Sequence, residues 1–211
     1  MVHLTTYQGN GGAARAALGL HNAMVRGGVN SALMSAHGLT FTAARFAEHQ
    51  LLRFQKSSLR TWRSPGRFGS LSSAEIDSLD ADVINLHWVT DGFLSVETIG
   101  AFTSPRVWSM YDMWPFSGTE HYGSDAVDAR WRSGYTAQNR PQGESGIDLD
   151  RYTWNRKVAA WNPTLMIPAS TWLESVTRTS SLMHDWPIKR IPHVVDETVF
   201  YSEPHIRSRE T

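Results

Sequence analysis

The chain contains no cysteine. This excludes disulfides, thiolate nucleophiles and cysteine-ligated metal, and it fits a reducing cytoplasm. It has no excess of either charge: 20 basic and 20 acidic residues leave a formal net charge of +0. No bulk attraction to nucleic acid or to an acidic surface is expected. Lysine is scarce, occurring only at Lys56, Lys157 and Lys189, so arginine carries nearly all the positive charge. No apolar run approaches the ~18 residues that a membrane-spanning helix needs. The opening Met1-Val2-His3-Leu4 lacks the charged stretch and apolar core of a secretory leader. Internal repeats and low-complexity tracts are also missing. A length of 211 residues supports one hydrophobic core, or one domain with an extension.

What is abundant is tryptophan, with 9 residues. Trp88, Trp114, Trp131 and Trp172 sit beside polar or turn residues, where an indole either packs at a rim or offers a flat face to a ring-shaped ligand. Val2 to Thr6 reads as a strand, followed by the polar turn Gln8-Gly9-Asn10-Gly11-Gly12. Ala14, Ala17, Leu18, His21, Met24 and Val25 then recur at helical spacing up to Gly27-Gly28. Val29 to Ala36 reads as a second strand, completing a βαβ unit. Residues 40–60 read as helical, with Phe46, Leu51, Leu52 and Phe54 on the apolar side. The arginines from Arg45 to Arg67 make this the most basic stretch. It is either a solvated face or a peripheral membrane contact.

Further on, Ser72-Ser73-Ala74-Glu75 has the form of a capping box. Residues 81–88 and 106–110 read as strands, ending in His87-Trp88 and Tyr111-Asp112, with a short helix over 95–102 between them. Residues 118–150 read as a long loop. Asp150 is expected to cap a helix in which Trp154, Val158 and Trp161 share a face. A strand over 164–168, a helix capped by Ser170 and a last short strand over 188–191 follow, with residues 194–200 as its exit. Strands alternating with helices predict an α/β fold, a Rossmann-like, doubly wound, mostly parallel sheet.

Gly9-x-Gly11-x-x-Ala14 meets the glycine spacing of a dinucleotide fingerprint. Small residues there let the backbone approach a phosphate at a helix N-terminus. A nicotinamide cofactor also needs an acid near the end of the second strand. The first acid in the chain is Glu48, and no arginine near Ala36-His37 serves a 2′-phosphate. The glycine turn therefore points to another phosphate-bearing or hydroxyl-rich ligand, or to a tight helix packing. His87, Asp112 and His121 lack the local spacing of metal ligands, and no metal is expected.

Six segments, in order, resemble the family 4 glycosyltransferases, in particular the colanic-acid-type branch. They are Gly11 to Ala17 with Leu20-His21, then Asp82 to Trp88 with Gly92-Phe93-Leu94-Ser95, and Asp112 to Gly118 with His121-Tyr122. Trp154 to Trp161, Pro168 to Leu173, and Ser180-Ser181-Leu182 complete the set. The resemblance implies the N-terminal half of a GT-B fold. Residues 1–191 would form the Rossmann-like acceptor-side domain, and residues 192–211 a remnant of the interdomain crossing, around Pro192-His193-Val194-Val195-Asp196, plus a tail.

Such enzymes take a nucleotide-sugar donor, retain anomeric configuration and need no bound metal or other cofactor. The implied partners are a nucleotide-sugar donor, a carbohydrate or lipid-linked acceptor, and a donor-domain partner or a second copy. The implied location is cytoplasmic, peripheral to the inner face of the membrane where the acceptor is lipid-linked. Gly11, Gly12 and Arg15 would meet donor phosphate or sugar, although Arg15 could equally pair at the surface. Tyr111 and Asp112 would sit at the reacting centre, or Asp112 would cap its own turn. His87, Trp88, Trp114, Phe116 and His121 would shape the acceptor pocket, with His87 and Trp114 alternatively packing in the core. Two departures weigh against independent catalysis: Tyr111 stands where the family has histidine, and the branch's cysteines are missing between Thr119 and Pro141.

Overall fold

The computed structural model describes residues 1–9, 11–57 and 61–193. Five parallel strands form one sheet: β1 (Val2–Thr5), β2 (Ala32–Ser35), β4 (Ile84–Leu86), β5 (Arg106–Met110) and β7 (Leu165–Pro168). Their order, β2-β1-β4-β5-β7, is that of a Rossmann-like α/β fold. The chain leaves β1 toward β2 and later returns to pair β4 on the other side of β1. This is the topological switch point at which open α/β sheets bind ligands.

The register sorts side chains by face, because paired residues in a parallel ladder point the same way. Leu4, Leu86, Trp108 and Met166 align across four strands and build the main core. Trp108 packs edge-on against Trp161, at 5.2 Å between ring centres. Trp161 follows helix α6 (Leu149–Ala160), which packs on α4 (Val96–Ala101). The opposite face is polar. His3 aligns with Asn85, and α1 (Gly12–Arg26) covers it with the buried Ala14 and Ala17 and with His21, 6.0 Å from His3.

The remaining elements are α2 (Gly38–Leu52), β3 (Gln55–Lys56), α3 (Ser73–Asp77), α5 (Arg130–Ser133), β6 (Ser145–Gly146) and α7 (Thr171–Arg178). The capping box forms as read, with Ser72 and Glu75 exchanging bonds, and Ser170 caps α7. Other readings change. The stretch 118–150 holds α5 and β6, and β6 pairs antiparallel with β3. Asp148, not Asp150, caps α6 by accepting from the Arg151 N–H. Val158 faces solvent at 47% exposure, and α6 instead buries Thr153 and Lys157. Phe46 is 65% exposed rather than on an apolar side. The expected strand over 188–191 reduces to one bridge, Met166 to Ile188. The expected exit over 194–200 lies outside the described residues. Among the described residues, no helix is long and apolar enough to cross a membrane.

Two buried charges organise the loop between β5 and α6. The Lys157 ammonium donates to the carbonyls of Trp114 (2.5 Å), Ser117 (3.1 Å) and Gly118 (2.8 Å). It also sits 3.8 Å from the centre of the Trp114 ring. Burial pulls its pKa well below the ordinary lysine value, while Glu120 and Asp112 oppose that pull. Asp150 accepts from Arg63 through both oxygens (2.9 and 2.9 Å), from Gln55 (2.8 Å) and from Thr119. Gly118 must lie flat here, since a β-carbon would come within 2.7 Å of the Asp150 backbone.

Replacing Lys157 with Met keeps most of the volume but strands three carbonyls. Each orphaned polar group costs about 1–3 kcal/mol, so urea denaturation of Lys157→Met should show a loss of about 3 kcal/mol or more. A loss below about 1 kcal/mol would mean that the ammonium does not hold the loop.

Candidate functional site

A cavity of about 580 Å³ opens beside the C-terminal ends of β1, β4 and β5. Each strand exit contributes: Thr5 at the end of β1 and Tyr7 after it, Trp88 after β4, Tyr111 and Asp112 after β5. Gly11, Gly12, Ala13 and Ala14 bring the start of α1 to the wall. Gly11 has a φ of 89°, a left-handed conformation that glycine adopts without strain. Among the described residues no side chain caps this helix, and its first turn, with the positive end of its dipole, lies at the cavity wall. Arg45, Trp62, His121 and Tyr122 complete the lining.

The centre of the wall is a hydrogen-bonded relay. Asp112 Oδ2 lies 2.5 Å from His121 Nδ1, so that nitrogen must carry a hydrogen. Trp88 Nε1–H donates to the same oxygen (3.0 Å), and the Trp114 N–H donates to Oδ1 (3.0 Å). Asp112 therefore caps its own turn and also faces the cavity. Three of its roughly four lone-pair positions are used, leaving one for a ligand hydroxyl. His121 Nε2 meets Ser64 Oγ at 2.9 Å. Ser64, His121 and Asp112 thus stand in the order of a nucleophilic triad. Ser64 is buried and does not line the cavity, so the relay orients His121 and delivers no nucleophile.

A second relay runs behind Tyr111. Asn85 donates its amide to His3 Nδ1 (3.3 Å), which makes that nitrogen an acceptor. His87 Nε2 lies 2.9 Å from the same atom, and Tyr111 Oη lies 2.6 Å from His87 Nδ1. Tyr111 is stacked between the rings of His87 and His193, at 5.8 and 5.1 Å. Burial keeps both histidines neutral, pulling His87 down to about 3 and His3 down to about 4. Burial also raises the Tyr111 phenol.

A third cluster shapes the α2 side. Asp91, buried and at a φ of 60°, accepts from Tyr7 O–H, from Arg45 Nε (2.8 Å) and from His49 Nε2 (2.7 Å). Gly92 follows because a β-carbon there would come 2.5 Å from the Arg45 amide nitrogen. Burial and the Asp91 bond raise the Tyr7 phenol to about 12. The tyrosine ring stacks on Trp88, at 5.8 Å and 24°.

Of the residues singled out from sequence, the structure brings Gly11, Gly12, Trp88, Tyr111, Asp112 and His121 to one cavity. The others lie outside it, with Arg15, His87 and Trp114 where the alternative reading of each put them. Arg15 is exposed and lies outside the cavity, because it occupies the solvent face of α1. His87 is 2% exposed and sits behind Tyr111. Trp114 is a core residue whose Nε1–H is held by the Ser64 carbonyl (2.8 Å). Phe116 packs against Trp131, away from the cavity.

Sequence reasoning missed Tyr7, Arg45 and Asp91. The Arg45–Arg67 stretch is not a uniform basic face, because Arg45 pairs with Asp91 and Arg63 with Asp150.

Unfolding frees His87 to titrate near its ordinary 6.5, whereas folding holds it at about 3. Between those values the unfolded chain takes up a proton that the folded chain refuses, so stability falls as pH falls. One such group contributes a slope of about 1.4 kcal/mol per pH unit. Asn at position 87 keeps an acceptor for Tyr111 but cannot titrate. Urea denaturation of His87→Asn between pH 6 and pH 4.5 should be flatter than wild type by about that slope. Parallel curves would mean that His87 charges freely in the folded chain.

The chain matches no family model, no curated protein and no solved structure.

Proposed function

We propose that this chain supplies the acceptor-side half of a glycosyl-transfer site, acting with a donor-binding domain or subunit. The observation that carries the reading is the cavity at the switch point, where aromatic rings, a held carboxylate and the free N-terminus of α1 meet. The reaction class is retaining transfer from a nucleotide sugar to a glycan or lipid-linked acceptor, as the resemblance to family 4 glycosyltransferases implies. It belongs to polysaccharide biosynthesis in the cytoplasm, at or near the inner face of the membrane if the acceptor is lipid-linked.

In this reading the α1 N-terminus and Arg45 meet the donor's negative charge. Asp112 accepts a hydrogen bond from a sugar hydroxyl, and Trp88 and His121 hold that carboxylate in place. The cavity lies open beyond the C-terminal ends of the strands. Water exclusion, which sugar transfer requires, then falls to the second domain, and no metal or organic cofactor is assigned a role.

One observation favours a second reading, a non-catalytic carbohydrate-binding or scaffold protein with the same fold. Tyr111 is already hydrogen-bonded to His87, and Asp112 already accepts three internal bonds. A pull-down from native cells separates the two. A stoichiometric partner with a nucleotide-binding Rossmann domain, and sugar transfer by the complex, supports the enzyme. A complex that binds saccharide without turnover, and gains none on Tyr111→His, supports the binding protein.

Gly12 provides a direct test of donor placement. A β-carbon there meets nothing within 4 Å, and alanine is the better helix former by about 1 kcal/mol. Gly12→Ala should therefore keep or raise the melting temperature. The added methyl enters the cavity and should weaken nucleotide-sugar binding about tenfold, one lost contact's worth, by calorimetry on the complex. Unchanged affinity would remove α1 from the donor site.

A further inference from the structure

We infer that Trp62 and Tyr122 form an oligosaccharide platform at the mouth of the cavity, so that the acceptor is a glycan chain engaged through more than one sugar unit. This inference rests on the glycosyl-transfer reading and adds the substrate's class and length to it.

Both residues line the cavity while staying half in solvent, Trp62 at 52% and Tyr122 at 57% exposure. The other aromatic rings of the cavity are already engaged. Trp88 is covered by Tyr7 and approached by His121 at 5.1 Å, and Tyr111 is stacked between two imidazoles. Among the described residues, Trp62 meets one ring, Trp88, edge-on at 6.2 Å and 64°. Trp62 and Tyr122 are therefore the lining rings with the most surface to offer a ligand.

The backbone beneath them is fixed. His121 N–H donates to the Trp62 carbonyl (3.0 Å) and Ser64 N–H to the Thr119 carbonyl (2.8 Å), on either side of the antiparallel bridge between Arg63 and Glu120. This short ribbon is bolted underneath by the Arg63–Asp150 pair and by Lys157 at Gly118. Exposed rings on a rigid ribbon bind with little ordering cost.

The chemistry selects sugar. A pyranose has an apolar C–H face for an aromatic ring and a rim of hydroxyls for polar partners. The platform leads into a wall that alternates rings with Asp112, Arg45 and Thr5. An acyl chain would leave those polar groups dry. The volume of about 580 Å³ lies within the ~300–1,000 Å³ of sites that enclose extended small ligands.

The test is saturation-transfer NMR and calorimetry on the full chain with malto-, cello- and chito-oligosaccharides of one to four units. Trp62→Ala and Tyr122→Ala are compared with wild type, and Trp172→Ala serves as the control. Trp172 is also exposed, but it lies outside the cavity. For at least one series, wild-type affinity should rise about tenfold between one and three units, the worth of one good aromatic contact. Trp62→Ala should abolish the rise and Tyr122→Ala should reduce it several-fold, with Trp172→Ala unchanged.

Saccharide or nucleotide-sugar binding without a chain-length gain overturns the platform and leaves the transfer reading standing. A gain that survives both substitutions, or loss of free-nucleotide rather than saccharide binding, also overturns it. Absence of binding by every saccharide and nucleotide sugar, with or without the donor-domain partner, overturns both.

Discussion

The ammonium of Lys157 is the interaction on which the site depends. It is fully buried, and its three hydrogens go to backbone carbonyls from one turn of chain, at Trp114, Ser117 and Gly118. Fixing those carbonyls sets the path from Asp112 to His121. That path brings His121 back onto Asp112, and Asp112 onto Trp88. Asp150 anchors the far end of the same loop through Arg63 and Thr119. Burying these charges costs more than an apolar core of equal volume would. In return, the loop has one geometry.

The fold was legible where periodicity is strong. The β–glycine–α–β opening, the capping box at Ser72 and Glu75, and the strand ends at His87-Trp88 and Tyr111-Asp112 follow from local spacing and turn chemistry. The elements that escaped are short or internally paired. β3 and β6 hold two residues each, too few to show alternation. In α6 a buried lysine and an exposed valine invert the usual pattern, so the face was misjudged. Asp150 looked like a cap because it precedes the helical run. In fact Asp148 serves that role, and Asp150 is drawn inward by Arg63.

The site divided along the same line. Residues at strand ends and at the glycine turn could be named from sequence, because topology alone brings strand ends together. Arg45 and Tyr7 could not, because their partner Asp91 lies 46 and 84 positions away. No local pattern marks such a pairing. Phe116, six residues beyond β5, packs on Trp131 instead of lining the pocket. His87 stayed open between pocket and core because a strand end alternates between faces. Its last residues can face the ligand or the sheet's own polar interior.

Asp91 has a mechanical consequence. One carboxylate ties the exit of β1, through Tyr7, to the body of α2, through Arg45 and His49, while itself belonging to the turn after β4. Three segments distant in sequence are thereby cross-linked at a single point. Arg45 and Tyr7 therefore share one carboxylate, and Tyr7 carries that link to the face of Trp88 on which it stacks. The α2 side of the cavity and its Trp88 wall are thus one connected network rather than separate patches.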